Sequence, residues 1–81
     1  MKITIKLFAM LKESLGEEVE LEVPDPVTVG RMLELFCSEH PRFAPALPSL
    51  KVAVDHVYAM NDEEIRAGQE VAIIPPVSGG R

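Results

Sequence analysis

The segment Pro75-Pro76-Val77-Ser78-Gly79-Gly80-Arg81 holds the most distinctive chemistry in this sequence. Two adjacent glycines so near its end do not suit an ordinary turn. They suit a thin strand that enters a narrow channel, because glycine has no Cβ. Pro75 and Pro76 fix φ and restrict the residue before each of them, so the arm is expected to leave its domain extended. The reactive group of such an arm is the backbone carboxyl at its tip, with Gly80 as the carboxyl-bearing residue. Arg81 stands in the way: while it is attached, the Gly80 carbonyl is an amide. A remnant of expression, a precursor residue that a protease trims and a junction to a longer fused chain each account for Arg81.

Other reactive side chains are sparse. Cys37 is the single cysteine, which excludes an internal disulfide and a multi-cysteine metal site. A persulfide on Cys37 is conceivable, but its place on an apolar helix stripe favours a buried structural role. His40 and His56 lie apart with no third ligand in pattern, so no metal site is expected. His40 reads as a helix-end residue, favourable to the dipole. Asp62, Glu63 and Glu64 form a carboxylate run, read as a solvated turn, with a face toward a basic partner as its functional alternative. Met10 and Met32 read as packing residues. There is no Gly-x-x-x-x-Gly-Lys-[Ser/Thr] phosphate loop.

Size and charge narrow the class. The chain has 81 residues, 47% of them hydrophobic, enough for one small packed domain. Thirteen acidic against eight basic residues give a formal charge of −5, the wrong sign for neutralising nucleic-acid phosphates. A basic protein partner fits better. No apolar run approaches the roughly 18 residues of a membrane span, and the N-terminus carries no secretory pattern. A cytoplasmic protein is expected, with neither nucleic acid nor membrane as partner.

The elements that must position the arm follow from periodicity. Ile3, Ile5 and Leu7 alternate with Lys2, Thr4 and Lys6, and Val19, Leu21 and Val23 alternate with Glu18, Glu20 and Glu22. Both read as half-buried strands, and their opposite charges suit antiparallel neighbours. Residues 9–15 suit a short helix closed by Gly16, and Pro24-Asp25-Pro26 ends the second strand. Thr28 is a good N-cap, and Val29, Met32, Leu33, Phe36 and Cys37 form an apolar stripe at helical spacing. Pro41 stops that helix. His40 to Ser49, with three prolines, reads as an irregular loop. Residues 51–55 and 57–59 read as short strands, residues 62–65 as a short helical turn before Gly68, and residues 71–74 as a nearly all-apolar final strand. The fold class is α+β: a mixed sheet of about five strands with one main helix packed across it. Residues 1–75 form this domain and residues 76–81 a flexible Gly-Gly tail. The order matches the ubiquitin-like β-grasp, whose first and last strands run side by side in parallel.

One residue breaks the inward pattern. Continuing the alternation past Leu7 turns Phe8 away from the helix, and in the last strand Ile74 points opposite to Val71 and Ile73. If the two strands are neighbours, Phe8 and Ile74 form an apolar patch at the base of the arm, as partner-binding sites do. A bulge that tucks Phe8 into the core is the alternative.

The run from Gly68 to Gly80, above all Pro-Pro-Val-Ser-Gly-Gly, resembles the C-terminus of the small, sulfur-carrying subunits of molybdopterin synthase. Lys6-Leu7-Phe8-Ala9-Met10-Leu11 through Leu15-Gly16 is similar to the start of that family, and the resemblance covers the whole domain. It implies a β-grasp fold and a non-catalytic sulfur-donor subunit that binds no cofactor itself. A ubiquitin-activating-type enzyme would use ATP to adenylate Gly80, and a persulfide donor would convert it to a thiocarboxylate. The arm, Pro75, Pro76, Val77, Ser78 and Gly79, would thread into the large synthase subunit of a heterotetramer. There the sulfur would attack cyclic pyranopterin monophosphate during molybdenum cofactor biosynthesis. Phe8 and Ile74 fall where that family has apolar interface residues. Gln69 replaces the family's usual Asp, expected to change only a turn hydrogen bond. A ubiquitin-like protein modifier, or a carrier for thiamine synthesis or tRNA thiolation, is the alternative from the same tail.

Overall fold

In the computed structural model, which describes residues 1–76, the longest helix is α2 (Val29–Glu39). Its start is set by Thr28, whose Oγ1 accepts from the Arg31 amide at 3.1 Å, satisfying one of the amides that a helix start leaves unpaired. Val29, Met32, Leu33, Phe36 and Cys37 are its buried residues, the stripe read from the sequence. They face the inner side of a five-stranded sheet built from β1 (Lys2–Leu7), β2 (Glu18–Glu22), β4 (Lys51–Val54), β5 (Val57–Ala59) and β7 (Val71–Ile74). Its order is β2-β1-β7-β4-β5. Only the β1–β7 pair is parallel, with Ile5 opposite Val71 and Leu7 opposite Ile73.

Alternation decides what each strand buries. Ile3, Ile5 and Leu7 of β1 and Val71 and Ile73 of β7 are at most 5% exposed. On the other face Lys2, Thr4 and Lys6 stand opposite Glu22, Glu20 and Glu18 of β2, the charge pairing expected. A short helix α1 (Ala9–Leu15) follows β1 and buries Leu11. Gly16 closes it at φ 95°, donating to the Lys12 carbonyl, a left-handed position that glycine takes without strain. This arrangement is the ubiquitin-like β-grasp.

Two expectations need correction. Residues 62–65 do not form a helical turn. Glu64–Ile65 is a strand, β6, paired antiparallel with β3 (Val27–Thr28) in a second, two-stranded sheet. The reason is tertiary: Ile65 is fully buried, and the carbonyls of Glu63 and Asn61 accept from Val29 and Gly30 at 2.8 and 2.9 Å. The segment thus clasps the start of α2. Gly30 permits the approach, since a Cβ there would lie 3.3 Å from the Asn61 carbonyl oxygen.

Nor is the stretch after His40 irregular. Pro41–Ser49 is a 3₁₀ segment with Pro45 and Pro48 inside it. Phe43 donates its amide to the His40 carbonyl at 3.0 Å, and its ring lies 6.4 Å from that of Phe36 in a stacked arrangement. The i→i+3 bonding is local enough to survive prolines that an α-helix interior would reject.

Phe36, fully buried between sheet and 3₁₀ segment, is the central packing residue. Phe36→Ala is expected to lower unfolding free energy by about 3–5 kcal/mol, most of the stability of so small a domain. Urea denaturation followed by circular dichroism will read this as a lower midpoint at unchanged slope.

Candidate functional site

Phe8 keeps the extended backbone of β1 for one more residue, at φ −133° and ψ 161°. The alternation therefore carries on, and the ring points to the outer face, 45% exposed. Phe8 does not tuck into the core. Because Leu7 stands opposite Ile73, the next position along brings Phe8 to Ile74, which is half-buried. The two residues line one hollow of about 320 Å³, with Lys6, Ala53, His56, Tyr58, Glu70 and Ala72 completing its wall.

The small side chains Ala53 and Ala72 face each other across β4 and β7 and make a shallow floor. Tyr58 stands opposite Ala53 on β5 and is 68% exposed. Large apolar groups left this open on a sheet face mark a binding surface. The polar rim is one linked set: the Glu70 carboxylate lies 3.7 Å from Lys6 Nζ and 3.5 Å from His56 Nε2. Pairs this exposed add little stability, about 0–1 kcal/mol each, but they fix where charge stands at the rim.

The β4–β5 hairpin that carries Tyr58 turns through Asp55 and His56, both at positive φ (52° and 70°). Two consecutive positive φ values mark a type I′ turn, and Asp and His tolerate that region better than most residues. Asp55 also ties the hairpin to the start of β7. Its carboxylate accepts from the Glu70 amide at 2.9 Å and from Gln69 Nε2 at 3.1 Å. Gln69 Oε1 accepts from the Arg66 amide at 2.7 Å. The residue expected to alter only a turn hydrogen bond thus links the turn to the hairpin.

At the root of the arm, Pro75 is buried and Pro76 exposed. Val77, Ser78, Gly79, Gly80 and Arg81, the remainder of the arm, lie outside the described residues. Elsewhere, Cys37 is buried in the stripe, its Sγ donating to the Phe43 carbonyl at 3.8 Å, and burial pushes its thiol pKa up. A protonated, enclosed thiol is a poor nucleophile. His40 ends α2 with its ring 5.0 Å from Phe36, while His56 sits in the hairpin turn. Among the described residues no group of three His, Cys, Asp or Glu side chains is placed to hold a metal ion. Asp62, Glu63 and Glu64 are exposed, and Glu63 accepts from the Met60 amide at 2.7 Å. Met32 is fully buried, but Met10, read as a packing residue, is 40% exposed, because α1 turns Leu11 and, in part, Leu15 toward the core and leaves Met10 outside. Among the described residues no helix is long and apolar enough to cross a membrane.

Tyr58, Ala53 and Ala72 are the site residues that sequence reasoning missed. The alternation within each strand was available, but which strands share an edge was not. Asp55-His56 as a two-residue turn was the one pointer that would have set Tyr58 across from Ala53.

A parallel first-and-last strand pair, an apolar hollow at its end and a diglycine arm behind it together suggest a family, and a direct comparison decides it. The model of the ThiS family matches residues 5–80. The chain belongs to the ThiS family. The molybdopterin synthase sulfur carrier subunit of Dictyostelium discoideum is 34% identical over 80 residues, covering 94% of this chain and 93% of that protein. Its counterpart in Escherichia coli K12 is 31% identical over 80 residues, covering 96% and 99%. Small archaeal modifier protein 1 of Haloferax volcanii is 35% identical over 88 residues, covering 93% and 97%. The crystal structure of that modifier superposes with a TM-score of 0.81 at 31% identity, covering 99% of this chain and 100% of the other. This ThiS-family member presents no buried polar or charged side chain among its described residues.

The raised Cys37 pKa has a signed consequence. The fold favours the neutral thiol, so its contribution is complete below the ordinary thiol pKa of about 8.5 and is lost as pH climbs through the higher folded value. Relative to Cys37→Ala, the parent is expected to lose stability progressively in that alkaline range. Parallel urea titrations of both proteins from neutral to alkaline pH will show the difference narrowing.

Proposed function

We propose that this ThiS-family chain is the sulfur-carrying subunit of a molybdopterin synthase, and that the Gly80 carboxyl, freed of Arg81, is the group that is loaded. The observation that carries this reading is the family match running through Gly80, reinforced by synthase-subunit relatives aligned over nearly the whole chain.

A free carboxylate resists attack because oxide is a poor leaving group. The carboxylate therefore first attacks the α-phosphate of ATP on a ubiquitin-activating-type partner, releasing pyrophosphate and leaving an acyl adenylate. A persulfide sulfur then adds to the Gly80 carbonyl and expels AMP, forming an acyl disulfide. A second thiol cleaves that disulfide, and the sulfur stays on Gly80 as a thiocarboxylate. This sulfur is ionised and nucleophilic at neutral pH, suited to attack cyclic pyranopterin monophosphate held by the large subunit. Two carriers supply the two sulfurs of the dithiolene, consistent with a heterotetramer. The chain contributes no acid, base or bound cofactor of its own, and ATP belongs to the adenylating partner. Its setting on this reading is the cytoplasm.

Phe8, Ile74 and Tyr58 give the partner an apolar anchor beside Pro75, the buried root of the arm. Pro76, Val77, Ser78 and Gly79 then thread into the partner's pocket. Aromatic anchors at the centre of a docking face dominate binding energy, and acidic surface charge steers the encounter.

The relationship to a small archaeal modifier protein, as close as that to the synthase subunits, favours a second reading. There the same Gly80 adenylate is captured by lysines of target proteins. The chain lacking Arg81, incubated with ATP, the adenylating enzyme and a persulfide donor, is expected to gain about 16 Da by intact-mass analysis, oxygen replaced by sulfur. Isopeptide adducts in lysates, together with normal molybdenum cofactor in cells lacking the chain, point to the modifier instead.

A further inference from the structure

The turn between β1 and α1 breaks two local preferences at adjacent positions. Phe8 is the N-cap of α1 and makes no side-chain capping bond, at a position where Ser, Thr, Asp or Asn satisfies an orphan amide. Ala9 follows at φ 51°, a left-handed backbone that glycine enters freely and a Cβ makes costly. The Ala9 side chain is exposed, so no burial offsets that cost. Leu7 and Leu11 on either side are 2% and 0% exposed. The Phe8 carbonyl accepts from the amides of both Leu11 and Lys12, at 3.2 and 3.3 Å. The reversal is therefore pinned at both ends, and Phe8, Ala9 and Met10 must complete it. Departures from local rules that bring no folding gain gather at functional sites. What this pair achieves is an uncapped aromatic ring held outward on the rim of the hollow.

From this we infer that Ala9 is a positioning residue for partner docking: its Cβ confines the left-handed turn to one narrow well and so sets the Phe8 ring before the partner arrives. The inference rests on the docking face proposed above. Glycine at position 9 adopts the same φ without strain, but it opens many other conformations as well. A freed Phe8 must then be ordered on binding, which weakens affinity about two- to tenfold. Asparagine tolerates the left-handed region and keeps a Cβ, so it preserves the restriction.

The test uses the full chain and its Ala9→Gly, Ala9→Asn and Phe8→Ala variants. Three quantities are measured: the thermal midpoint, backbone order parameters at residues 8–10, and calorimetric affinity for the purified large subunit of molybdopterin synthase from the same organism. Ala9→Gly is expected to melt no lower than the parent, to lose order at Phe8 and to bind about two- to tenfold more weakly. Ala9→Asn keeps the parent affinity, and Phe8→Ala loses more than about tenfold. Parent affinity in Ala9→Gly beside weakened Phe8→Ala overturns the positioning role while the docking face stands. A weaker Ala9→Gly that melts lower with Phe8 still ordered is a plain folding defect and also overturns it. Parent affinity in Phe8→Ala, or no binding by the parent chain, removes the docking face and this inference together.

Discussion

Parallel strands cannot be joined by a tight turn, so setting β7 beside β1 commits the whole chain between Leu7 and Val71 to a crossover. That pairing, with Ile5 opposite Val71 and Leu7 opposite Ile73, governs everything else in the molecule. The crossover carries α2, which covers the inner face that the pair creates. It also carries the β4–β5 hairpin back to the far side of β7, so the last strand is held on both edges. Val71 and Ile73 are fully buried because of this double support. The end of β7 is consequently among the best-anchored points in the domain, and it is where the arm begins.

A sheet covered by a helix on one face leaves the other to solvent, and here that outer face divides in two. Over β1 and β2 it is ionic, with lysines opposite glutamates. Over β7, β4 and β5 it is apolar, with Ala72, Ile74, Ala53 and Tyr58. Phe8 stands at the seam. No folding requirement accounts for the second half, since the domain buries its core without it. The ionic half has an edge role too. The glutamates of β2 discourage strand addition at that side, a common way of protecting a free edge. Residues 57–60 on the opposite edge bear no such charge, and Val57, Tyr58 and Met60 are each at least 68% exposed.

What the sequence made legible was whatever its own periodicity encodes. The alternation in β1 and β2, the α2 stripe and the Thr28 cap depend on residues a few positions apart, and each was read in its proper place. The β3–β6 pair was not legible, because a two-residue strand has no period of its own. Glu64 and Ile65 are extended because Val27 and Thr28 lie beside them and because the start of α2 needs the Asn61 and Glu63 carbonyls. The prolines between His40 and Ser49 suggested an irregular loop, yet the burial of Phe43 against Phe36 organises them. The site divided along the same line. Phe8 and Ile74 followed from strand phase, whereas Tyr58 needed the strand order, a long-range fact.

The burial of Pro75 bears on how an arm of this kind can work. An extended segment that threads into a partner's pocket loses its freedom on binding, and every residue immobilised weakens the gain from contact. Pro75, buried in the domain one residue after Ile74 of the hollow, has its φ fixed before any encounter. After Pro76 the sequence continues Val77-Ser78-Gly79-Gly80, and on the proposed reading its two glycines suit a narrow channel that a Cβ would obstruct. The proposed docking face, which includes Ile74 next to Pro75, adds to this. On the proposed reading, contacts at Phe8, Ile74 and Tyr58 would hold the partner next to the arm, so that entry of the tip becomes an intramolecular event at high effective concentration. On the proposed reading the domain need not bind the tip's chemistry at all; it need only make arrival at the partner's pocket cheap in entropy.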